Sequence, residues 1–197
     1  KIRSLSFFGF SYFSFHGHRV LVARSGWSKQ GGFEIYVEGQ ELGPILWKII
    51  FDVGVDLEVR AGGPNLIERI ESGLLSYGND MTMDNSPIEC GLDRFCHPER
   101  VDCIGRDALL REVESGPARK ITPLEIMGEI SSCDREWLVT SNNKNVGQVT
   151  SAAWSPDFNV NVAIAMLDKG FWEEGTDLCI ETANGVREAR VAARFWN

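Results

Sequence analysis

The chain lacks any apolar run approaching the ~20 residues that a membrane-spanning helix needs, so a helical bilayer anchor is excluded. It is short of cations. Twenty Lys and Arg stand against 28 Asp and Glu, and the net charge of −8 argues against a sequence-independent grip on nucleic acid phosphates. Cys90, Cys96, Cys103, Cys133 and Cys179 are an odd number without a Cys-x-x-Cys pair. They read as reduced thiols of a cytosolic protein, not as a disulfide framework. Cys96-His97, beside Cys90 and Cys103, matches no zinc-ligand spacing, so no metal is expected. Gly31-Gly32 is not a phosphate loop, because Lys29 precedes the glycines and no Ser or Thr follows in the needed place. There is no internal repeat and no low-complexity linker. The chain opens at Lys1, without Met or a signal-peptide pattern, almost directly into strand sequence, and is expected to be a fragment.

What remains is an ordinary globular composition, 43% hydrophobic and 24% charged over 197 residues. That is enough for one large domain or two small ones. Phe7 to Phe15 is a dense aromatic strand, His16-Gly17-His18 a three-residue hairpin loop, and Arg19 to Arg24 the return strand. Leu42, Ile45, Leu46, Ile49, Ile50 and Val53 recur at helical spacing, with Pro44 near the start and Gly54 near the end. Val55, Leu57 and Val59 alternate as a short strand. Pro64 opens a helix whose Leu66, Ile67 and Ile70 share a face and which ends near Gly73. This first part suggests α+β packing, with helices against an antiparallel sheet.

Near residue 98 the pattern changes. Apart from a helix over 106–113, the sequence predicts strands at 121–127, 137–140, 146–151, 160–167, 177–182 and 187–195. Short strands at regular spacing with Gly and Asn turns argue for a small barrel or sandwich.

The most informative stretch runs from Arg24 to Val37. Three glycines interrupt a strand that then resumes, carrying Trp27, Glu34 and Tyr36 through the region. An aromatic face offers stacking. A carboxylate can accept two parallel hydrogen bonds from an N–H/NH2 edge such as a pterin's. Glu34 and Tyr36 share one strand face because side chains alternate with period two. On the residues alone, plain core packing of the aromatics stays open beside this binding reading.

The stretch resembles the signature of the glycine-cleavage T-protein (aminomethyltransferase) family, Arg-Thr-Gly-Tyr-Thr-Gly-Glu-Asp-Gly-Phe-Glu-Ile. Trp27 stands at the family's Tyr and Glu34 at its pterin-binding Glu. Collinear blocks continue the likeness at 69–74, 77–80, 86–92, 104–109, 147–151 and 155–156, so it covers nearly the whole chain. Within the family the signature is most similar to the dimethylsulfoniopropionate-demethylating branch. Lys29-Gln30-Gly31 replaces the family's Gly-Glu-Asp, and Asn65 stands at a frequent family arginine.

The resemblance implies a folate-binding α+β domain over residues 1–97 and a small all-β barrel over residues 98–197. It implies a cytoplasmic, tetrahydrofolate-dependent methyltransferase moving a methyl group from dimethylsulfoniopropionate to folate N5. Aminomethyl transfer, dimethylglycine or sarcosine chemistry, and a non-catalytic folate-binding module are the alternatives. It implies Glu34, Trp27, Tyr77 and Trp196 as cofactor contacts and Trp27 and Tyr36 as substrate contacts. Lys29 is either a loop charge or a contact for the folate tail. His16 and His18 are read as turn residues. The family's catalytic aspartate would lie upstream of Lys1, so no catalytic residue is assigned. The expected partners are a small-molecule substrate and, over the truncated sheet, a second copy or another covering chain.

Overall fold

A computed structural model describes residues 2–26, 31–63 and 66–196. Among them two compact units separate, Lys1–Asn65 and Leu66–Asn197.

The first unit holds a three-stranded antiparallel sheet in the order β1 (Phe10–Phe15), β2 (His18–Ala23), β3 (Glu34–Tyr36). The expected strand from Phe7 begins later. Phe8 sits at φ +60 and the Gly9 N–H turns back to the Ser6 carbonyl, so a local turn precedes the strand while Phe8 and Gly9 still bond to the Arg24 backbone. The expected three-residue hairpin loop is a two-residue one, because Phe15 pairs directly with His18. His16 and Gly17 both take positive φ, +47 and +78, the type I′ geometry whose twist matches the flanking strands.

The register sorts the side chains. Phe13, Val20, Val22 and Ile35 share one face, where Val20 and Val22 are buried with Leu42. Phe10, Tyr12, Arg19, Leu21, Glu34 and Tyr36 share the other. Helix α1 (Leu42–Val53) forms as the spacing predicts, and the Gly54 N–H closes it on the Ile50 carbonyl. Of its apolar stripe only Leu42 is buried, while Ile45, Ile50 and Val53 stay exposed. The strand expected at 55–59 is instead a 3-10 turn, Val55–Leu57, followed by Glu58 at φ +53. β-propensity is expressed only against a partner strand, and among the described residues no strand pairs with this segment.

The second unit opens with helix α2 (Leu66–Glu71); its expected Pro64 start lies outside the described residues. Gly73 at φ +64 ends it in a Schellman motif, with the Leu74 N–H on the Arg69 carbonyl and the Gly73 N–H on Ile70. The buried side differs from the expected one: Leu66 is 52% exposed, whereas Arg69, Ile70 and Glu71 are buried. Both charged residues find hydroxyl partners on the barrel, which makes their burial tolerable. Helix α3 (Arg106–Ser115) follows.

The six remaining strands close a barrel in the order β4 (Arg119–Ile126), β7 (Val160–Asp168), β6 (Lys144–Ser155), β5 (Trp137–Ser141), β8 (Asp177–Thr182), β9 (Gly185–Val191). β7 shows why the barrel needs a cover. Its Ala163, Ala165 and Leu167 point into the barrel core, while Val162, Ile164 and Met166 join an outer cluster with Ile70 and Ile121. Phe195 and Trp196 pack on that outer cluster. For this reason the strand expected to reach Phe195 ends at Val191: the last residues leave the barrel wall to shield its outside.

Candidate functional site

Glu34 lies opposite Ala23 in the β2–β3 ladder and is exposed to solvent. The Ser25 hydroxyl donates to Glu34 Oε2. A carboxylate has about four lone-pair sites, so one hydroxyl leaves both oxygens able to accept a further pair of parallel donors. Tyr36 pairs with Leu21, and Leu21 pairs with Tyr12. A row Tyr12–Leu21–Tyr36 therefore crosses all three strands beside Glu34. Tyr12 and Tyr36 are 50% and 54% exposed, so the row is an open aromatic surface and not core. Arg19, on the same face, lies over the Tyr12 ring with Cζ 3.6 Å from the centroid.

Glu34 and Tyr36 thus share a face, as strand alternation required. Trp27 and Lys29 lie outside the described residues. Tyr77 belongs to the second unit, where it bridges to Met81 and is 66% exposed. Trp196 is in that unit too, partly buried against Ile70, Ile121, Val162, Ile164 and Met166. Sequence reasoning passed over Tyr12, Arg19 and Ser25. The signal for the first two was the hairpin register, which brings both onto the Glu34 face once the turn is given two residues.

The second unit holds a polar cluster of a different kind. Asp80 Oδ2 accepts from Arg69 Nη1 at 2.7 Å and from the Ser76 N–H at 2.8 Å. Asp80 Oδ1 accepts from Thr150 Oγ1 and Ser151 Oγ, each at 2.6 Å. Consecutive strand residues normally point to opposite faces. Here β6 slips register between Val149 and Ser151, and the bulge turns both hydroxyls toward one carboxylate. Asn79 Nδ2 donates to the Thr150 carbonyl and to Ser151 Oγ. Ser155 Oγ donates to the buried Glu71, and Arg119 pairs with Glu89 at 3.2 Å. Apart from Ser76 and Arg119, these residues come from the blocks 69–74, 77–80, 86–92, 147–151 and 155–156, and their work is to fasten α2 and the following turns onto the barrel.

Burial raises the Cys133 thiol to about 11, and burial, with the neighbouring Glu89 carboxylate, raises that of Cys90. Neither is an activated nucleophile. All five cysteines are unpaired. A cavity of about 590 Å³ lined by Met127, Trp154 and Asn161 contains none of the residues singled out by sequence. Among the described residues no helix is long and apolar enough to cross a membrane.

Residues 1–100 match the family model described as GCVT N-terminal domain, and residues 119–196 match the Glycine cleavage T-protein C-terminal barrel domain. The chain is 54% identical over 196 residues to the dimethylsulfoniopropionate demethylase DmdA of Ruegeria pomeroyi, covering 99% of this chain and 53% of that protein. It is 32% identical over 196 residues to an aminomethyltransferase of Listeria welshimeri, covering 98% of this chain and 52% of the other. The crystal structure of glycine cleavage system aminomethyltransferase T from Bartonella henselae superposes with a TM-score of 0.77 at 24% identity, over 90% of this chain and 50% of that one. That last likeness speaks for the fold alone. The chain spans about half the length of the curated relatives it matches.

Proposed function

We propose, for a chain that belongs to the glycine cleavage T-protein family, that the protein carrying it is a tetrahydrofolate-dependent demethylase of dimethylsulfoniopropionate. The observation that carries the choice of donor is the 54% identity to a demethylase of that substrate, against 32% to an aminomethyltransferase over the same length. Reduced folate, when bound, supplies the N5 nucleophile.

The residues of the β1–β3 face suit such a group. The exposed Glu34 carboxylate, steadied by Ser25, has the acceptor capacity for a pterin N–H/NH2 edge. Tyr36, next but one on the strand, lines the substrate side. The sulfonium substrate is a cation that no deprotonation can neutralise, and phenol or indole faces hold such a charge at ~0.5–2 kcal/mol each. Its carbon–sulfur bond would break with the electron pair returning to sulfur as the methyl carbon bonds to N5, so a neutral sulfide would leave without a general acid and the N5 proton would pass to solvent. The contribution of the protein is alignment, which can amount to ~7–11 kcal/mol of the barrier. Trp27 is proposed as a further aromatic contact of the cofactor and as a flank for the sulfonium.

Glu34→Gln in the protein that carries this chain tests the reading. Hydrogen bonds to a charged acceptor contribute about 1.5–3 kcal/mol, so calorimetry should show tetrahydrofolate binding roughly 10- to 100-fold more weakly. Unchanged affinity would overturn the site. Formation of 5-methyltetrahydrofolate from dimethylsulfoniopropionate, set against an aminomethyl, dimethylglycine and sarcosine donor panel, tests the donor. Folate binding with every donor inert would favour a binding module instead.

A further inference from the structure

Glu34 accounts for one end of the open β-face and leaves the other unexplained. Arg19 occupies that end. It is exposed, and its recorded contact is with the Tyr12 ring. Among the described residues no carboxylate pairs with it. We propose that Arg19 is the anion-binding group of this face and takes the carboxylates of the folate glutamate tail. The proposal rests on the placement of the pterin at Glu34.

Register supports it. Glu34 is opposite Ala23, and Arg19 is four residues back along the same strand on the same face. At ~3.4 Å per residue that separation is roughly 14 Å, before the reach of either side chain. Between the two ends lies the row Tyr12–Leu21–Tyr36, two phenol rings on either side of an apolar chain. The order along the surface is acid, aromatic bed, base. A reduced folate presents the complementary order: a donor-rich pterin edge, an aryl ring, then carboxylates. Stacking on Tyr12 occupies the face of the Arg19 guanidinium and leaves its N–H edge for an anion, the arrangement that suits bidentate carboxylate recognition.

A bland account is an arginine resting on a neighbouring ring. It explains the stacking, but not that the cation lies on the opposite side of the aromatic row from the carboxylate. The carboxylate of a small sulfonium substrate is the other source of the same chemistry. The length of the bed favours the coenzyme tail, because a short aliphatic acid does not fill it.

The test is calorimetry on the protein that carries this chain, with tetrahydrofolate, its triglutamate form and tailless 6-methyltetrahydropterin. Arg19→Gln should weaken tetrahydrofolate about tenfold and the triglutamate at least as much, while leaving the tailless pterin within twofold. Arg19→Lys should fall between. Loss of the tailless pterin to the same extent, or no loss of tetrahydrofolate, overturns the proposal. A rise confined to the KM for the sulfonium donor also overturns it, by assigning Arg19 to the substrate. Glu34→Gln separates the two readings: it should weaken all three ligands alike. If it spares the tailless pterin, the placement of the pterin falls, whatever Arg19 does. Circular dichroism of each variant checks that the exposed substitutions leave the fold intact.

Discussion

Asp80→Asn is the sharpest test of what holds the second unit together. The side chains of Arg69 and Asp80 are 4% and 0% exposed, so neither charge is relieved by water. The carboxylate accepts four hydrogen bonds, two at each oxygen. An asparagine of the same shape can keep its oxygen toward Arg69 and the Ser76 N–H. Its NH2 group then faces Thr150, whose hydroxyl can turn to the Ile164 carbonyl and accept, and Ser151, whose Oγ already accepts from Arg69 and Asn79. The geometry is repairable only in part, and the charge is not. Breaking a buried ion pair by neutralising one partner costs about 3–5 kcal/mol, a large share of a domain stability of ~5–15 kcal/mol. In urea, with a slope of ~2–3 kcal/mol/M, the midpoint of this unit should fall by roughly 1 M or more. The fluorescence of Trp137, buried in the barrel core, reports on it. Removing the cation as well, in Arg69→Met with Asp80→Asn, keeps an acceptor for the Ser76 N–H and should recover part of the loss. A single-variant loss below about 1 kcal/mol, or a double variant no better than the single, would refute the argument from the broken ion pair.

Gly73→Ala places a methyl group 2.5 Å from the Phe195 ring at a backbone angle of +64, so thermal denaturation should show a loss of about 2–4 kcal/mol. Adding Phe195→Ala should then cost less than its effect alone, because the collision has already displaced the ring. Cys133, raised to about 11, should react with iodoacetamide at pH 8 more slowly than the exposed Cys103 and Cys179. In the unfolded chain its thiol ionises near the ordinary 9.0, whereas the folded one stays protonated. Stability from this group is therefore intact below pH 9 and declines as pH climbs from 9 toward 11, a slope that Cys133→Ser should flatten.

The strands of the second unit were legible in the sequence as short apolar runs at regular spacing, which left barrel and sandwich open, and the family resemblance supplied the barrel. The limits lie where a residue's surroundings come from elsewhere in the chain. Thr150 and Ser151 look like one inward and one outward residue until the bulge in β6 turns both to Asp80. Arg69 and Glu71 lie off the apolar face that the spacing marks, yet they are buried because hydroxyls some eighty positions away meet them, with sequence separations of 82 and 84. At the candidate site one residue of loop length mattered most. A three-residue loop would pair Tyr12 with Val22 and send its ring to the packed face. The two-residue turn pairs it with Leu21 and puts it beside Tyr36. A slip of one in an antiparallel ladder reverses every side chain. Glu34 and Tyr36 escaped that error because their relation is internal to one strand.

The same contrast bears on what family likeness can report about chemistry. Arg69, Asn79, Asp80, Ser151 and Ser155 all commit polar groups to bonds within the second unit. Changing one of them damages folding whichever donor the protein uses, so their presence is evidence of the fold and is silent on the substrate. The face carrying Phe10, Tyr12, Arg19, Glu34 and Tyr36 is under a different constraint. Its rings are half or more exposed within their unit, and the cluster of Val20, Val22 and Leu42 holds without them. Residues there can change at little cost to stability, which is the condition for a surface to specialise. On the proposed function, information about the donor should therefore be concentrated on this face and at residues 27–30 of the sequence. Exchanging those positions for an aminomethyltransferase's residues should alter donor preference while leaving the urea midpoint of the barrel in place.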